Sequence, residues 1–311
     1  MNYLNSLPGA VIQGMIWGIM AIGVYITYKI LDIADLTVDG SMVTGACVAA
    51  VLVIAGVNVW IAMLAALAAG MLAGLVTGIF HTLMGIPAIL AGILTQLMLW
   101  SINLKILGRA NVGVSARVYN VSVTQLEKAK SMIVVFAFCT VIIGLLYMFF
   151  GTEFGASLRA TGNNLKMSRA QGINTNFTKV VGLMLSNGIV ALSGAVLMQY
   201  QGAADINMGR GAIVIGLAAV IIGEAIFGKI SQNFAVRLAG VVGGGIIYYI
   251  VYQTVIFIGI DTDLLKMLSA VVVAIFLAVP YLKKMHSKPK IKRAPHEPTD
   301  KREESEAEKN A

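Results

Sequence analysis

Charged side chains are scarce in this chain of 311 residues: they make up 12% of it, while 58% of its residues are hydrophobic. Soluble domains average about 25% charged and about 45–50% apolar residues. The shortage of charge therefore excludes an ordinary soluble domain and indicates an integral membrane protein. The net charge of +8 does not predict nucleic-acid binding. Much of it lies in one loop and in the C-terminal tail, where basic residues set membrane topology.

Cysteine and histidine are also rare, and their placement excludes several kinds of site. Cys47 and Cys139 lie in separate apolar runs without CxxC or Cys/His spacing, so the sequence predicts neither a disulfide framework nor a metal site. None of the three histidines belongs to an HExxH motif. The first basic residue, Lys29, follows the first apolar stretch, which is not the pattern of a cleaved signal peptide. We expect that stretch to be a retained transmembrane helix.

Long apolar runs fill the chain up to about residue 282. Because a spanning helix needs about 20 mainly apolar residues, the pattern predicts an all-α polytopic membrane protein with about nine transmembrane helices, within a range of about eight to ten. Frequent glycines at helix-packing intervals favour a tight bundle. The predicted spans are residues 10–29, 41–57, 59–80, 87–105, 131–150, 178–200, 212–228, 234–257 and 264–282.

The distribution of basic residues favours one orientation of these spans. With nine spans, the basic residues of the loop 155–174 and of the tail fall on the same side, which is the cytoplasmic side by the positive-inside rule. The loop from Lys105 to Lys130 is also basic, but in this orientation it lies on the opposite, outer side, so it argues against the assignment. The tail, 283–311, has almost no apolar residues, so we expect it to be disordered, with its basic start against anionic lipid.

One polar segment interrupts the apolar chain between two predicted spans. It reads GASLRATGNNLKMSRAQGIN, residues 155–174, and is rich in Gly, Asn and basic residues. Leu158, Leu165 and Met167 would support a short amphipathic helix, whose polar residues would face water or another protein. A solvated basic loop is the plainer interpretation of the same pattern.

This segment resembles the cytoplasmic signature of permease subunits in ABC importers of the branched-chain amino acid and ribose type. The stretches DLTVDGSMVTGA, GIPAILAGILTQLMLWSINLKILGRAN and GAIVIGLAAVIIGEAIFG are also similar to segments of that family, and the shorter permeases for aromatic amino acids are the most similar subgroup. The resemblance implies that residues 153–177 form a coupling segment that docks into a cleft of an ATP-hydrolysing subunit. The matching positions are Gly155, Arg159, Ala160, Gly162, Asn163 or Asn164, Ala170, Gly172, Ile173 and Asn174.

The sequence reveals no nucleotide site in the chain itself. GEAIFGKI, residues 223–230, approaches the phosphate-loop pattern, but Ile230 replaces the Ser or Thr that binds magnesium, and no βα context surrounds it. The resemblance implies that a separate pair of ATPase subunits binds ATP and Mg²⁺, so that this chain holds no cofactor. It also implies a homodimer with a second permease copy, an extracytoplasmic binding protein, and the bacterial cytoplasmic membrane, with residues 1–282 as the transmembrane domain and the tail in the cytoplasm.

Polar residues inside the apolar runs are candidates for a translocation pathway, because such residues tend to face a bundle interior or a water-filled cavity. The first cluster lies in DIADLTVDGS, residues 32–41. One interpretation is a short polar turn in which Asp39 or Ser41 caps the next helix. The other is a break between half-helices of the kind that transporters use at their pathway.

Two further sets of polar residues allow both a pathway interpretation and a structural one. Gln96 and Asn103 are seven residues apart and share a helical face, so they either line the pathway or make hydrogen bonds between helices. Glu224 either serves the pathway or its gating, or pairs with Lys229 near the interface. The predicted pathway residues are Asp35, Thr37, Asp39, Ser41, Thr95, Gln96, Asn103 and Glu224.

Together these features predict a permease subunit of an ATP-driven importer, which is not itself an enzyme. The expected cargo is a small solute, with an amino acid first and a sugar or nucleoside second. The main alternative is an ion-coupled secondary transporter, which needs an ion-coupling site and usually an internal repeat. The sequence shows neither of these. An intramembrane enzyme and a channel or scaffold are less favoured, and the sequence shows no catalytic pair or metal-ligand set.

Overall fold

The computed structural model describes residues 3–115, 128–228 and 233–258, together with single positions between 267 and 278. All helices and strands named below belong to one compact unit, Met1–Leu277. The predicted tail lies outside the described residues, as does most of the predicted span 264–282.

The first half of the chain forms five long helices. A π-helical turn, Ile26–Ile30, continues the first helix directly. Two of these helices start after residues that suit a helix N-terminus: the Asn58 side chain accepts a hydrogen bond from the Trp60 amide, and Pro87 precedes the fourth helix. The helices are α1 (Tyr3–Tyr25), α2 (Val38–Ile54), α3 (Val59–Thr82), α4 (Ala88–Leu107) and α5 (Lys128–Gly151).

In the described part of the second half, two short helices come first and three longer ones follow. They are α6 (Glu153–Asn163), α7 (Leu165–Ala170), α8 (Thr175–Gln201), α9 (Ala212–Phe227) and α10 (Phe234–Phe257). Six of the helices in the described part of the chain are long and apolar enough to cross a membrane, and α2 and α9 are shorter apolar helices. Eight of the nine predicted spans coincide with helices, which confirms an all-α multi-pass membrane protein.

Two three-residue strands mark one end of the bundle. β1 (Asn111–Gly113) follows α4 and pairs antiparallel with β2 (Ala203–Asp205), which follows α8. The 27 residues of α8 rise about 40 Å, so the strands lie about that far from α6 and α7, which precede α8. We call these two ends the sheet end and the α6–α7 end.

Glycines bring the helix backbones into direct contact, as the sequence pattern predicted. A Cβ atom on Gly45 of α2 would collide with the carbonyl oxygen of Ala191 in α8. One on Gly74 of α3 would collide with the carbonyl oxygen of Leu183 in the same helix. Helices that pack in lipid without a hydrophobic driving force favour such small residues. α8 is therefore the central helix against which α2 and α3 pack.

Helices α2 and α9 both begin inside the bundle, and their N-termini meet. Asp39, in the first turn of α2, accepts hydrogen bonds from the backbone amides of Gly211 and Ile213, each at 2.9 Å. Asp39 therefore caps α9 rather than its own helix. The N-cap of α2 is Thr37, whose side chain makes no capping hydrogen bond, so the expectation that Asp39 or Ser41 caps α2 is wrong. The two carboxylate oxygens compensate the positive end of the α9 dipole.

Candidate translocation and coupling sites

The first predicted cluster is a buried hydrogen-bond network between α2 and α8. Asp35 is only 3% exposed. Its carboxyl oxygens accept hydrogen bonds from the Thr37 amide at 2.9 Å and from the Asn187 side-chain nitrogen at 2.7 Å. The Ser41 hydroxyl donates to the side-chain oxygen of Asn187 at 2.6 Å. Asn187 thus links two of the predicted pathway residues, and all four polar groups have partners inside one chain.

A chain of hydroxyl groups extends this network to α3 and α4. The Oγ1 atoms of Thr37 and Thr77 lie 2.7 Å apart, and the Thr77 hydroxyl donates to Thr95 at 2.9 Å. All three side chains are buried. The sequence prediction included Thr37 and Thr95 but missed Thr77, because a single threonine in an apolar run carries no distinguishing signal.

A cavity of about 310 Å³ lies beside this network, on the side of α4. Gln96 and Asn103 both line it, which confirms that their seven-residue spacing places them on one face. Asp39, Trp100 and Arg210 line it as well. Arg210 was not among the predicted pathway residues, although a basic residue directly before the apolar run 212–228 was a usable signal.

Glu224 lies at the α6–α7 end, where it pairs with Lys29 at 3.0 Å. The expected alternative partner, Lys229, lies outside the described residues. Both side chains of the pair are partly exposed. Lys29 also lines a cavity of about 610 Å³, together with Asp32 and with Arg159 of the polar segment. This second cavity therefore joins the polar segment to the end of the first span.

The polar segment is helical, but it forms two helices rather than one. Leu158 of α6 is fully buried, as the amphipathic pattern predicted. Met167 of α7 is 56% exposed, so the expectation that it supports a buried face is wrong. The predicted coupling residues divide by exposure: Gly155 is buried, Ala160, Gly162 and Ile173 are intermediate, and the exposed ones are Arg159, Asn163, Asn164, Ala170, Gly172 and Asn174.

Several of these residues have clear local roles. The Asn164 side chain caps α7 and the Asn174 side chain caps α8, each through the backbone amide three residues later. Gly172 has a φ of +82°, which a residue with a Cβ adopts only at a cost. The Arg159 guanidinium donates to the carbonyl oxygen of Phe150 at 3.0 Å. These contacts fix the shape of the segment.

Two glycines seat α6 against the membrane helices. A Cβ on Gly162 would collide with the carbonyl oxygen of Ile30, the last residue of the π-helical turn. A Cβ on Gly155 would collide with the backbone at Phe150 of α5. The segment is therefore packed directly onto the π-helical turn that follows α1 and onto α5.

Apolar side chains on the outside of this segment remain uncovered. Phe177 is 58% exposed, close to the value for Met167, and its ring contacts Phe154 edge to face with 6.0 Å between centroids. Exposed apolar side chains on an otherwise polar surface indicate a contact with another protein or with lipid.

A multi-pass bundle with a buried hydrogen-bond network, a cavity between its helices and a compact polar segment at one end is the architecture expected of an integral membrane transport protein. Residues 7–279 match the family model described as branched-chain amino acid transport system / permease component. The chain belongs to that family, and it is a permease component of an ABC-type transport system for small solutes.

The similarity to curated proteins supports the family assignment. A tyrosine transport system permease protein of Clostridioides difficile (strain R20291) is 37% identical over 277 residues, covering 88% of this chain and 91% of the relative. An uncharacterized protein of Rickettsia prowazekii (strain Madrid E) is 34% identical over 88% of this chain and 98% of its own length. The autoinducer 2 import system permease protein LsrC of Salmonella paratyphi B is 27% identical, over 61% of this chain and 55% of LsrC. No solved structure matches the chain.

Proposed function

We propose that this chain is the permease subunit of an ABC importer that takes up an amino acid through a pathway between two copies of the chain. The relative named as a tyrosine transport permease supports the cargo class, since it aligns over most of both chains. The packing of α6 and α7 supports ATP hydrolysis by a partner subunit as the energy source. Exposed Met167 and Phe177 offer a contact to an ATPase, while Gly162 transmits movement to Ile30.

This packing suits a coupling segment for a mechanical reason. The Gly162 backbone lies in direct contact with the carbonyl oxygen of Ile30, so α6 cannot move inward without displacing the end of the first span. That span ends in a π-helical turn, a feature frequent at functional sites. Asp32, two residues further, has a φ of +55°, a conformation that costs energy for a residue with a Cβ. A strained, non-α-helical joint is where we expect movement to be absorbed.

The remaining partners follow from the same proposal. A pair of ATPase subunits binds ATP and Mg²⁺, and an extracytoplasmic protein delivers the amino acid. The α6–α7 end faces the cytoplasm of a bacterial cell, in agreement with the positive-inside rule. Basic residues at this end are Lys29, Arg159, Lys166, Arg169, Lys179 and Arg237.

The decisive experiment is copurification of the ATPase with variants at Met167. Met167→Glu places a charge on the proposed contact, and we expect it to abolish copurification while the chain still inserts in the membrane. Met167→Leu keeps a similar apolar volume and serves as the matched control, with copurification as in the wild type. If Met167→Glu retains the ATPase and transports normally, the coupling assignment fails. Ion-dependent uptake by the purified chain alone would instead establish the secondary transporter.

A further inference from the structure

The cavity between α2, α4 and the start of α9 contains a charged residue that the fold does not use. Arg210 lines this cavity and is exposed in the single chain. Its backbone amide bonds to Asn207, but among the described residues its guanidinium has no hydrogen-bonded or ionic partner. A guanidinium without a partner is available to an anionic ligand.

The depth of the cavity in the membrane indicates which face of the chain Arg210 marks. Asn103 lies about 6 Å and Gln96 about 16 Å before the end of α4 at Leu107, so the cavity occupies the sheet-end half of the span. Arg210 precedes α9, but it lines the cavity at this depth, where a charged side chain is costly against lipid and almost always faces the bundle interior or a water-filled cavity. Arg210 therefore marks the face of the chain that borders the aqueous pathway.

A second polar atom in the cavity, the side-chain oxygen of Asn103, also lacks a partner among the described residues. Asn103 is only 1% exposed, and no residue that the structure describes donates a hydrogen bond to this oxygen. Its side-chain nitrogen makes only a long contact of 3.5 Å with the carbonyl oxygen of Gly40, which also lines the cavity. Leaving a buried acceptor unsatisfied costs about 1–3 kcal/mol, so native structures seldom do so without a reason. A ligand that donates a hydrogen bond in the cavity supplies that reason.

The remaining lining residues define the chemistry that fits. Asp39 provides carboxylate oxygens that hold two backbone amides yet retain free lone pairs, which suit a cationic donor. Trp100 provides an aromatic surface for a planar side chain. The volume of about 310 Å³ lies at the lower end of the range of about 300–1,000 Å³ for small-molecule sites.

We propose that this cavity is the substrate subsite of the permease and that it binds an aromatic α-amino acid as a zwitterion. Arg210 holds the carboxylate by charge-assisted hydrogen bonds, while Asn103 and Asp39 accept hydrogen bonds from the ammonium group. Trp100 contacts the aromatic ring. The inference rests on the proposed function and adds the ligand's chemical class and the residues that select it.

Binding of L-tyrosine to the purified transporter in lipid nanodiscs tests this proposal. Arg210→Gln removes the carboxylate partner, and we expect at least a tenfold loss of affinity, because charge-assisted hydrogen bonds are the strong ones. Arg109→Gln is the matched control: it makes the same chemical change at an exposed position of the sheet end, outside the cavity lining, and should leave affinity within about twofold.

Tyramine, which lacks the carboxylate, identifies the group that Arg210 contacts. The wild type should prefer tyrosine over tyramine, and Arg210→Gln should lose that preference. Asn103→Leu should weaken both ligands, because both carry the ammonium group. Equal tyrosine binding by wild type and Arg210→Gln, equal loss in Arg109→Gln, or no tyrosine binding by the wild type overturns the proposal. Copurified ATPase should stay unchanged in all variants, so this failure is distinct from a failure of the coupling assignment.

Discussion

Replacement of Asn187 by leucine tests whether the buried network holds the bundle together. Asn187 is the only side chain that contacts both Asp35 and Ser41 within the described network. Asn187→Leu keeps the branched shape of the side chain, so it opens no large cavity. It removes these two hydrogen bonds and a third, which Asn187 donates to the carbonyl oxygen of Leu183. The Asp35 carboxyl group then keeps its hydrogen bond from the Thr37 amide.

The loss of stability in Asn187→Leu depends on which buried polar groups lose their hydrogen-bond partners. A hydrogen bond to a charged group contributes about 1.5–3 kcal/mol, and a buried polar group left without a partner costs about 1–3 kcal/mol. Hydrogen bonds between membrane helices average lower, near 0.6 kcal/mol. We therefore expect a loss of about 2–4 kcal/mol for Asn187→Leu, because a buried carboxyl group is involved. At about 2–4 °C per kcal/mol, the melting temperature in detergent should fall by roughly 4–16 °C.

The control lies six residues further along α8. The Ser193 hydroxyl donates to the carbonyl oxygen of Ile16 at 2.8 Å, a single neutral bond between helices. Ser193→Ala should lower the melting temperature by only about 1–3 °C. The double variant Asp35→Leu/Asn187→Leu removes both partners and should recover part of the loss. If Asn187→Leu melts no lower than Ser193→Ala in fluorescence-detected size exclusion, the network does not stabilise the bundle.

Four further variants probe the packing and the surface charges. Lys29→Met and Glu224→Gln should each change the free energy of unfolding by no more than about 1 kcal/mol, because both side chains of this ion pair are partly exposed. Thermal melts at low and high salt measure the change. Gly45→Val should leave little folded protein in the membrane fraction, since its side chain collides with the α8 backbone. Gly162→Leu should push α6 away from Ile30 and lower transport-coupled ATP hydrolysis while the chain still inserts; normal coupling would contradict the mechanical role of this contact.

The helices were predictable from sequence because the bilayer imposes a simple rule. A backbone in lipid must satisfy its own hydrogen bonds, so every long apolar run becomes a helix. The ends of the helices were less predictable, because capping residues determine them. Asn58 is the N-cap of α3 and Asn174 is the N-cap of α8. The shared face of Gln96 and Asn103 also followed from helical periodicity alone.

The contacts that build the sites depend on long-range packing, which one sequence does not reveal. Asp39 caps a helix that starts more than 170 residues later in the chain. Thr77 and Asn187 join the network only because α3 and α8 pack against α2 through glycines. The exposure of Met167 likewise depends on how α7 sits on the bundle, so the helical pattern placed it on the wrong face.

The two proposed sites lie at opposite ends, yet continuous contacts join them. Gly162 of α6 touches Ile30, and the chain from there leads into Asp35, which is bonded to α8. Four residues later, Asp39 holds the start of α9 beside Arg210. Contact alone does not establish energetic coupling, which requires that one site bias the other. Tyrosine affinity in Gly162→Leu supplies that measurement: an altered affinity shows that the cavity senses α6, and an unchanged affinity shows that the two ends act independently.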